Sequence, residues 1–133
     1  TEVLLPRLRS DLLEIFDAVA DNRLAEIDVD WSDDATVGVM MASGGYPGSY
    51  ETGKPISGVE DVDDDVQVFM AGAQMRDGQL VTAGGRVLCV VASGATLAEA
   101  RERAYDNVRR ISFEGAHYRT DIAARETVAV EAK

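Results

Sequence analysis

Three apolar segments that follow one another between residues 66 and 94 constrain the fold more than any other feature of this sequence. They are "VQVFMAG", "QLVTAG" and "GRVLCVVASG", and each is typical of a strand, as is the earlier "TVGVMMA". Between the first two, Asp77-Gly78 supplies the residue pair that a tight hairpin turn prefers. Because these strands are close in sequence, we predict that they pair antiparallel.

Two segments have the three- and four-residue apolar spacing of amphipathic helices. The first is residues 3–20, with Pro6 in the first turn, where a missing amide hydrogen costs little. The second is "GATLAEARERAYDNVRRI", in which Thr96 is placed to cap the helix while Glu99 reaches back to the Thr96 amide. The predicted fold class is α+β, a small antiparallel sheet with flanking helices.

The composition limits the class of protein. The 133 residues are enough for one domain, and 46% of them are hydrophobic. A net charge of −11 argues against a nucleic-acid partner, and we find no apolar run as long as a membrane span, so we expect no membrane partner and a cytoplasmic location. The single cysteine, Cys89, excludes an internal disulfide framework, and its apolar neighbours indicate an inert core thiol.

The glycine-rich stretch "MASGGYPGSYETGKPISG", residues 41–58, needs an explanation beyond an ordinary loop. Gly44, Gly45 and Gly48 can expose consecutive backbone amides to an anion. The alternative, which the local sequence favours, is that they only permit positive φ angles in tight turns. Neither the dinucleotide-binding pattern nor the P-loop pattern is present, so the local sequence leaves both interpretations open.

A second glycine pair precedes an arginine in "TAGGRVL", residues 82–88. The planar guanidinium of Arg86 suits a phosphate or carboxylate ligand, although an ion pair with one of the many acidic residues is an equal alternative. The only histidine, His117, has no second histidine or cysteine beside it, which makes a poor metal site and favours a surface or helix-end role. No nucleophile and base stand together, so we predict neither catalytic nor metal-binding residues.

Nearly the whole chain resembles the C-terminal part of phosphoribosylamine–glycine ligases, a family of ATP-grasp enzymes. The resemblance rests on "ASGGYPGSYETGKPISG", on "VFMAGAQMRDGQLVTAGGRVLCVVASGATLAEARERAYDNVRRI" and on "FEGAHYRTDIA". Upstream, "LLPRLRSDLLEI" resembles the last helix of the family's ATP-grasp portion. The resemblance implies a terminal ATP-grasp segment over 1–30, a C-terminal ligase domain over 31–125 and a frayed tail over 126–133. Ala123 departs from the glycine that is common in the family.

The family joins 5-phosphoribosylamine to glycine with ATP in purine biosynthesis, through an acyl phosphate of glycine. The resemblance implies that ATP and Mg or Mn bind mainly to a part N-terminal to Thr1, that those N-terminal domains are a partner of this chain, and that the chain alone is inactive. It also implies a substrate-binding wall made of Gly44, Gly45, Tyr46, Gly48, Lys54, Gly84, Gly85 and Arg86, with Arg7 and Arg9 close to the metal site. The alternative is an autonomous anion-binding or interaction module that reuses the fold without catalysis.

Overall fold

The computed structural model describes residues 1–126 and contains two small antiparallel sheets and two α-helices. The three-stranded sheet has the order β1-β5-β2, and β3 and β4 form a separate hairpin. The elements are α1 (Leu12–Ala20), β1 (Ala35–Ala42), β2 (Gln67–Met70), β3 (Ala73–Arg76), β4 (Gln79–Thr82), β5 (Arg86–Gly94) and α2 (Leu97–Val108). The predicted α+β class with small antiparallel sheets is confirmed.

The central strand β5 organises the core. It pairs with β1 on one side and β2 on the other, with Val90 opposite both Val39 and Val68. Helix α2 packs on one face of this sheet, where Ala100, Ala104 and Val108 are completely buried. Burial of these small side chains lets the helix approach the strands closely, and the predicted apolar face of α2 is therefore confirmed.

The N-terminal cap of α2 forms with one change from the prediction. The Thr96 hydroxyl accepts a hydrogen bond from the Glu99 amide at 3.2 Å, as expected for a capping residue. The Glu99 carboxylate, however, accepts from the Ala95 amide at 3.0 Å instead of the Thr96 amide. The side chain still satisfies a free amide ahead of the helix, one residue further back.

The predicted continuous helix over residues 3–20 is wrong. A short 3₁₀ turn at Leu5–Arg7 is followed by extended backbone at Leu8, and α1 begins only at Leu12. Leu8 forms an antiparallel bridge with Trp31, so pairing with a distant segment takes the backbone groups that the helix would use.

A new cap starts α1 after this interruption. The Asp11 carboxylate accepts a hydrogen bond from the Leu13 amide at 2.7 Å. The helix then leaves most of its apolar side chains uncovered: Leu13, Phe16 and Val19 are 67%, 57% and 52% exposed. Within residues 1–126 nothing covers this apolar face, which is defined here by those three residues.

The segment "QLVTAG" is not a strand of the main sheet, contrary to the prediction. The Ala71 and Gly72 amides both donate to the Val87 carbonyl at 3.0 Å, which ends the β2 ladder and turns the chain away from β5. The following residues form β3, which the sequence did not separate from β2, and β3 pairs with β4 through the predicted Asp77-Gly78 turn. Both turn residues have positive φ angles, 52° and 81°, as that turn type requires.

In the part of the chain that the structure describes, no helix is long and apolar enough to cross a membrane. The predicted frayed tail over 126–133 lies, apart from Glu126, outside the described residues. The predicted segment boundaries at 30/31 and 125/126 stay predictions.

Candidate functional site

The two glycine-rich turns lie side by side at one end of the main sheet. Ser43, which is buried, joins them: its amide donates to the Gly85 carbonyl and its hydroxyl donates to the Gly84 carbonyl, both at 2.8 Å. The end of β1 and the start of β5 therefore carry both turns on one rigid edge. Tyr46 follows directly, and its peptide bond to Pro47 is cis.

Close packing constrains the glycines of the two joined turns. Of Gly44, Gly45 and Gly48, only Gly45 has a positive φ angle, 95°, and a Cβ there would lie 2.1 Å from the Ser49 carbonyl oxygen. A Cβ on Gly85 would lie 2.2 Å from Cδ2 of Tyr46 and 3.0 Å from Cε1 of Tyr50. The two turns thus touch through an aromatic ring that rests on the Gly85 backbone.

Backbone amides in both turns are left without a partner in the protein. None of the amides of Gly44, Gly45, Gly48, Gly84 and Gly85 donates a hydrogen bond to another residue within 1–126. Gly85 is buried at the start of β5, where an unpaired amide is costly. Free donors at this place are compatible with the predicted anion site.

The Arg86 side chain is exposed at the first position of β5, opposite Ala42. It forms no ion pair and no hydrogen bond with another side chain among the described residues. Its charge does act on Glu2, whose pKa is lowered first by a backbone hydrogen bond, then by the N-terminal amino group, and least by Arg86. Arg86 lines a cleft of about 180 Å³ together with Met40, Ala42, Tyr46, His117, Tyr118 and Arg119. We call this the Arg86 cleft.

Two nitrogen-bearing side chains in the Arg86 cleft were not among the predicted site residues. His117 exchanges two backbone hydrogen bonds with Ala42, of 2.9 and 3.0 Å, which brings the segment after α2 to the end of β1. Arg119 follows on the same segment and forms a bidentate ion pair with Asp121, at 2.9 and 2.6 Å. That hydrogen bonding lowers the pKa of Asp121. The sequence shows the "HYRTD" cluster, but only the long-range pairing with Ala42 places it beside Arg86.

Lys54 lies in a different groove. Its ammonium group forms ion pairs with Glu51 at 2.8 Å and with Glu114 at 2.9 Å. The hydrogen bond that Lys54 donates to Glu51, and then the one that it donates to Glu114, raise the pKa of Lys54. The bond to Glu51 also lowers the pKa of Glu51. This groove, of about 140 Å³, is lined by Gly44, Gly115 and these three charged residues. Through these two ion pairs, Lys54 connects the glycine-rich loop to the segment after α2, and it is not a lining residue of the Arg86 cleft.

The Arg86 cleft is not lined by Arg7, Arg9 or Cys89. Arg7 donates to the Ser32 carbonyl oxygen at 2.9 and 3.3 Å, whereas Arg9 makes no side-chain hydrogen bond within residues 1–126. Burial raises the pKa of the Cys89 thiol to about 11, so this residue is a neutral thiol at physiological pH. Over the described range we find no group of three or more His, Cys, Asp or Glu side chains that could hold a metal ion.

Comparison with known proteins identifies the family. Residues 36–125 match the model described as phosphoribosylglycinamide synthetase, C domain. The chain belongs to this family. Of the curated relatives of this C domain, the phosphoribosylamine–glycine ligase of Caldanaerobacter subterraneus subsp. tengcongensis is 46% identical over 93% of this chain, and that of Rhizobium meliloti is 47% identical over 95%.

The matches cover only part of those relatives. The chain spans 30% of the length of the Caldanaerobacter protein and 31% of the Rhizobium protein. A crystal structure of phosphoribosylamine–glycine ligase from Thermotoga maritima superposes on 83% of this chain and 28% of its own, with a TM-score of 0.66 and 36% sequence identity. This chain is therefore similar to the C-terminal portion of longer ligases.

Proposed function

We propose that this chain is the C-terminal domain of an ATP-dependent phosphoribosylamine–glycine ligase and forms one wall of its substrate site. The observation that carries the proposal is the Arg86 guanidinium, which forms no ion pair within residues 1–126, beside two joined glycine turns whose amides donate no hydrogen bond in that range. In a chain of net charge −11, an anionic substrate needs such a local cation. The names of the relatives supply the reaction class.

The reaction that we propose forms a carbon–nitrogen bond between glycine and 5-phosphoribosylamine while ATP is converted to ADP and phosphate. The contribution of this chain is to bind and orient an anionic reactant through Arg86 and the Gly84 and Gly85 amides. Fixed donors of this kind lower the cost of bringing two reactants together and require no reorganisation during the reaction. The enzyme is expected in the cytoplasm, where purine precursors are made.

ATP and its Mg or Mn ions do not fit the described residues, 1–126. Metal–polyphosphate binding needs clustered carboxylates, and this range contains no group of three or more such metal-binding side chains, while Glu51 and Glu114 are both ion-paired with Lys54. We therefore assign the nucleotide and metal to N-terminal domains like those of the longer relatives, and expect this chain alone to be inactive. The uncovered apolar face of α1 supports a partner of that kind, because such faces are normally packed.

A chimera tests the proposal. The matched C-terminal part of the Rhizobium relative is replaced by this chain, and ADP release is measured with Mg²⁺, glycine and phosphoribosylamine generated in situ. We expect ADP release that depends on both substrates from the chimera, and none from this chain alone. A control chimera carries the relative's own C-terminal part rejoined at the same position. A chimera that folds like this control and yet is inactive, or turnover by this chain alone, would contradict the proposal.

Arg86→Ala in the active chimera tests the site itself. Hydrogen bonds to a charged group contribute about 1.5–3 kcal/mol, so the Michaelis constant of one anionic substrate should rise roughly ten- to a hundredfold. The constant for ATP should change little, and Arg86→Lys should recover only part of the loss because an ammonium cannot form the bidentate contact. Arg109→Ala is the matched control, since Arg109 directly follows α2, is exposed and is paired with Asp106. Unchanged constants for both substrates would show that Arg86 does not bind either.

A further inference from the structure

We propose that the Arg86 cleft binds the phosphate group of a pentose phosphate and that Arg119 supplies the second guanidinium. This inference rests on the proposed function and deepens it, because that reaction offers two small anions, the glycine carboxylate and the phosphate of phosphoribosylamine. The cleft contains two arginines and no carboxylate side chain among its lining residues. The choice between the anions follows from the number and arrangement of these donors.

Arg119 has donors left for a ligand although it is paired with Asp121. A guanidinium has five N–H groups, and Asp121 takes one from Nε and one from Nη2. Three donors remain, two of them on Nη1. Asp121 therefore fixes the orientation of the group without saturating it. One fork satisfies the two oxygens of a carboxylate, whereas a phosphate monoester, with three terminal oxygens and nearly two charges, suits two forks together with backbone amides.

The backbone that carries Arg119 is held in place from α2. The Tyr105 hydroxyl donates to the Arg119 carbonyl at 2.7 Å. Arg101 donates to the Thr120 carbonyl at 2.8 Å and to the Ile122 carbonyl at 2.9 Å. Together with the pairing of His117 and Ala42, these contacts fix the segment on two sides. Such a segment loses little conformational freedom when a ligand binds.

The rest of the cleft fits the sugar end of the ligand. Met40, Ala42 and the rings of Tyr46 and Tyr118 give it apolar walls on which ring carbons can pack. The cleft, of about 180 Å³, leaves room for a phosphate and the adjoining carbons of a pentose.

Nuclear magnetic resonance titration of this chain tests the inference without requiring ligase activity. The probes are ribose 5-phosphate, inorganic phosphate and glycine at millimolar concentrations. We expect ribose 5-phosphate to shift the Nε–H signals of Arg86 and Arg119 and the amide signals of Gly84 and Gly85, with weaker binding of inorganic phosphate and no such shifts with glycine. Arg119→Ala should weaken the binding of ribose 5-phosphate about tenfold or more, and Arg109→Ala should leave it unchanged.

Several results would overturn the inference. The first two are unchanged arginine and amide signals with ribose 5-phosphate, and glycine binding that is as strong as ribose 5-phosphate binding or stronger. The others are inorganic phosphate binding as strong as ribose 5-phosphate binding, and an affinity for ribose 5-phosphate that Arg119→Ala leaves unchanged. The chimera separates this failure from failure of the proposed function. An active chimera whose phosphoribosylamine Michaelis constant is unaffected by Arg119→Ala overturns only the role of Arg119, whereas an inactive chimera contradicts the ligase proposal whatever the titration shows.

Discussion

Gly85→Ala is the substitution that most directly tests how the Arg86 cleft is built. The new Cβ would lie 2.2 Å from Cδ2 and 2.8 Å from Cε2 of Tyr46. Because carbon atoms in contact are separated by about 3.5–4.0 Å, the ring must move by more than about 1 Å. The Tyr46 amide donates to the Ser43 carbonyl at 3.0 Å, so the ring should rotate while the backbone stays in place.

Both stability and ligand binding should respond to this movement. Overpacking of this kind costs about 1–3 kcal/mol, and Tyr46 is already 36% exposed, so we expect the lower half of that range. The displaced ring also loses its place as a wall of the Arg86 cleft, and we expect the affinity for ribose 5-phosphate to fall about tenfold, which is about 1.4 kcal/mol. Urea unfolding followed by circular dichroism measures the first quantity, and the titration measures the second.

Gly78→Ala is the matched control. Gly78 has a φ angle of 81° but no atom within 4 Å of the position of a Cβ, so the substitution costs backbone strain of about 1–2 kcal/mol without touching Tyr46. We expect the two variants to lose similar stability and only Gly85→Ala to lose affinity. If Gly85→Ala has wild-type stability and affinity, or if both variants lose affinity equally, the contact between Tyr46 and Gly85 does not shape the cleft.

Three further predictions concern the core. Asn107→Ala should destabilise the protein by about 2–3 kcal/mol in urea unfolding, because this fully buried amide makes three hydrogen bonds, two of them with Asp63. Full stability of Asn107→Asp would contradict a stabilising role of these hydrogen bonds. The hydrogen bond that Asn107 donates, and then the one from Arg110, lower the pKa of Asp63. The stabilising contribution of Asp63 is therefore present above its ordinary pKa of 3.8 and is lost as the pH falls through the lower pKa of the folded state. The pKa of Asp63, measured by nuclear magnetic resonance, should rise in Asn107→Ala. Cys89 should react with thiol reagents at neutral pH only after urea unfolding, and rapid labelling of the folded chain would contradict its burial.

Most elements of the core were predictable because their signals are local. The strands β1 and β5, the hairpin turn at Asp77-Gly78 and the Thr96 cap of α2 each follow from a residue pattern a few positions long. The continuous helix over 3–20 failed for the opposite reason. Its apolar spacing is helical, but pairing of Leu8 with Trp31, far along the chain, interrupts it. The separation of β3–β4 from the main sheet likewise depends on contacts with Val87 that no local pattern specifies.

For the candidate site, the sequence by itself determined the residue types: two glycine-rich turns, one arginine directly before a buried strand, and a resemblance to a ligase family that the comparisons confirm. Only the tertiary structure decided which charged groups are free. Lys54 and Arg86 both follow glycines in the sequence, but Lys54 forms ion pairs with Glu51 and Glu114, whereas Arg86 forms no ion pair among the described residues. The tertiary structure also decided the position of Arg119, because the pairing of His117 with Ala42 brings it to the Arg86 cleft. Charge is a property of the residue, whereas its availability to a ligand depends on neighbours that are distant in the chain.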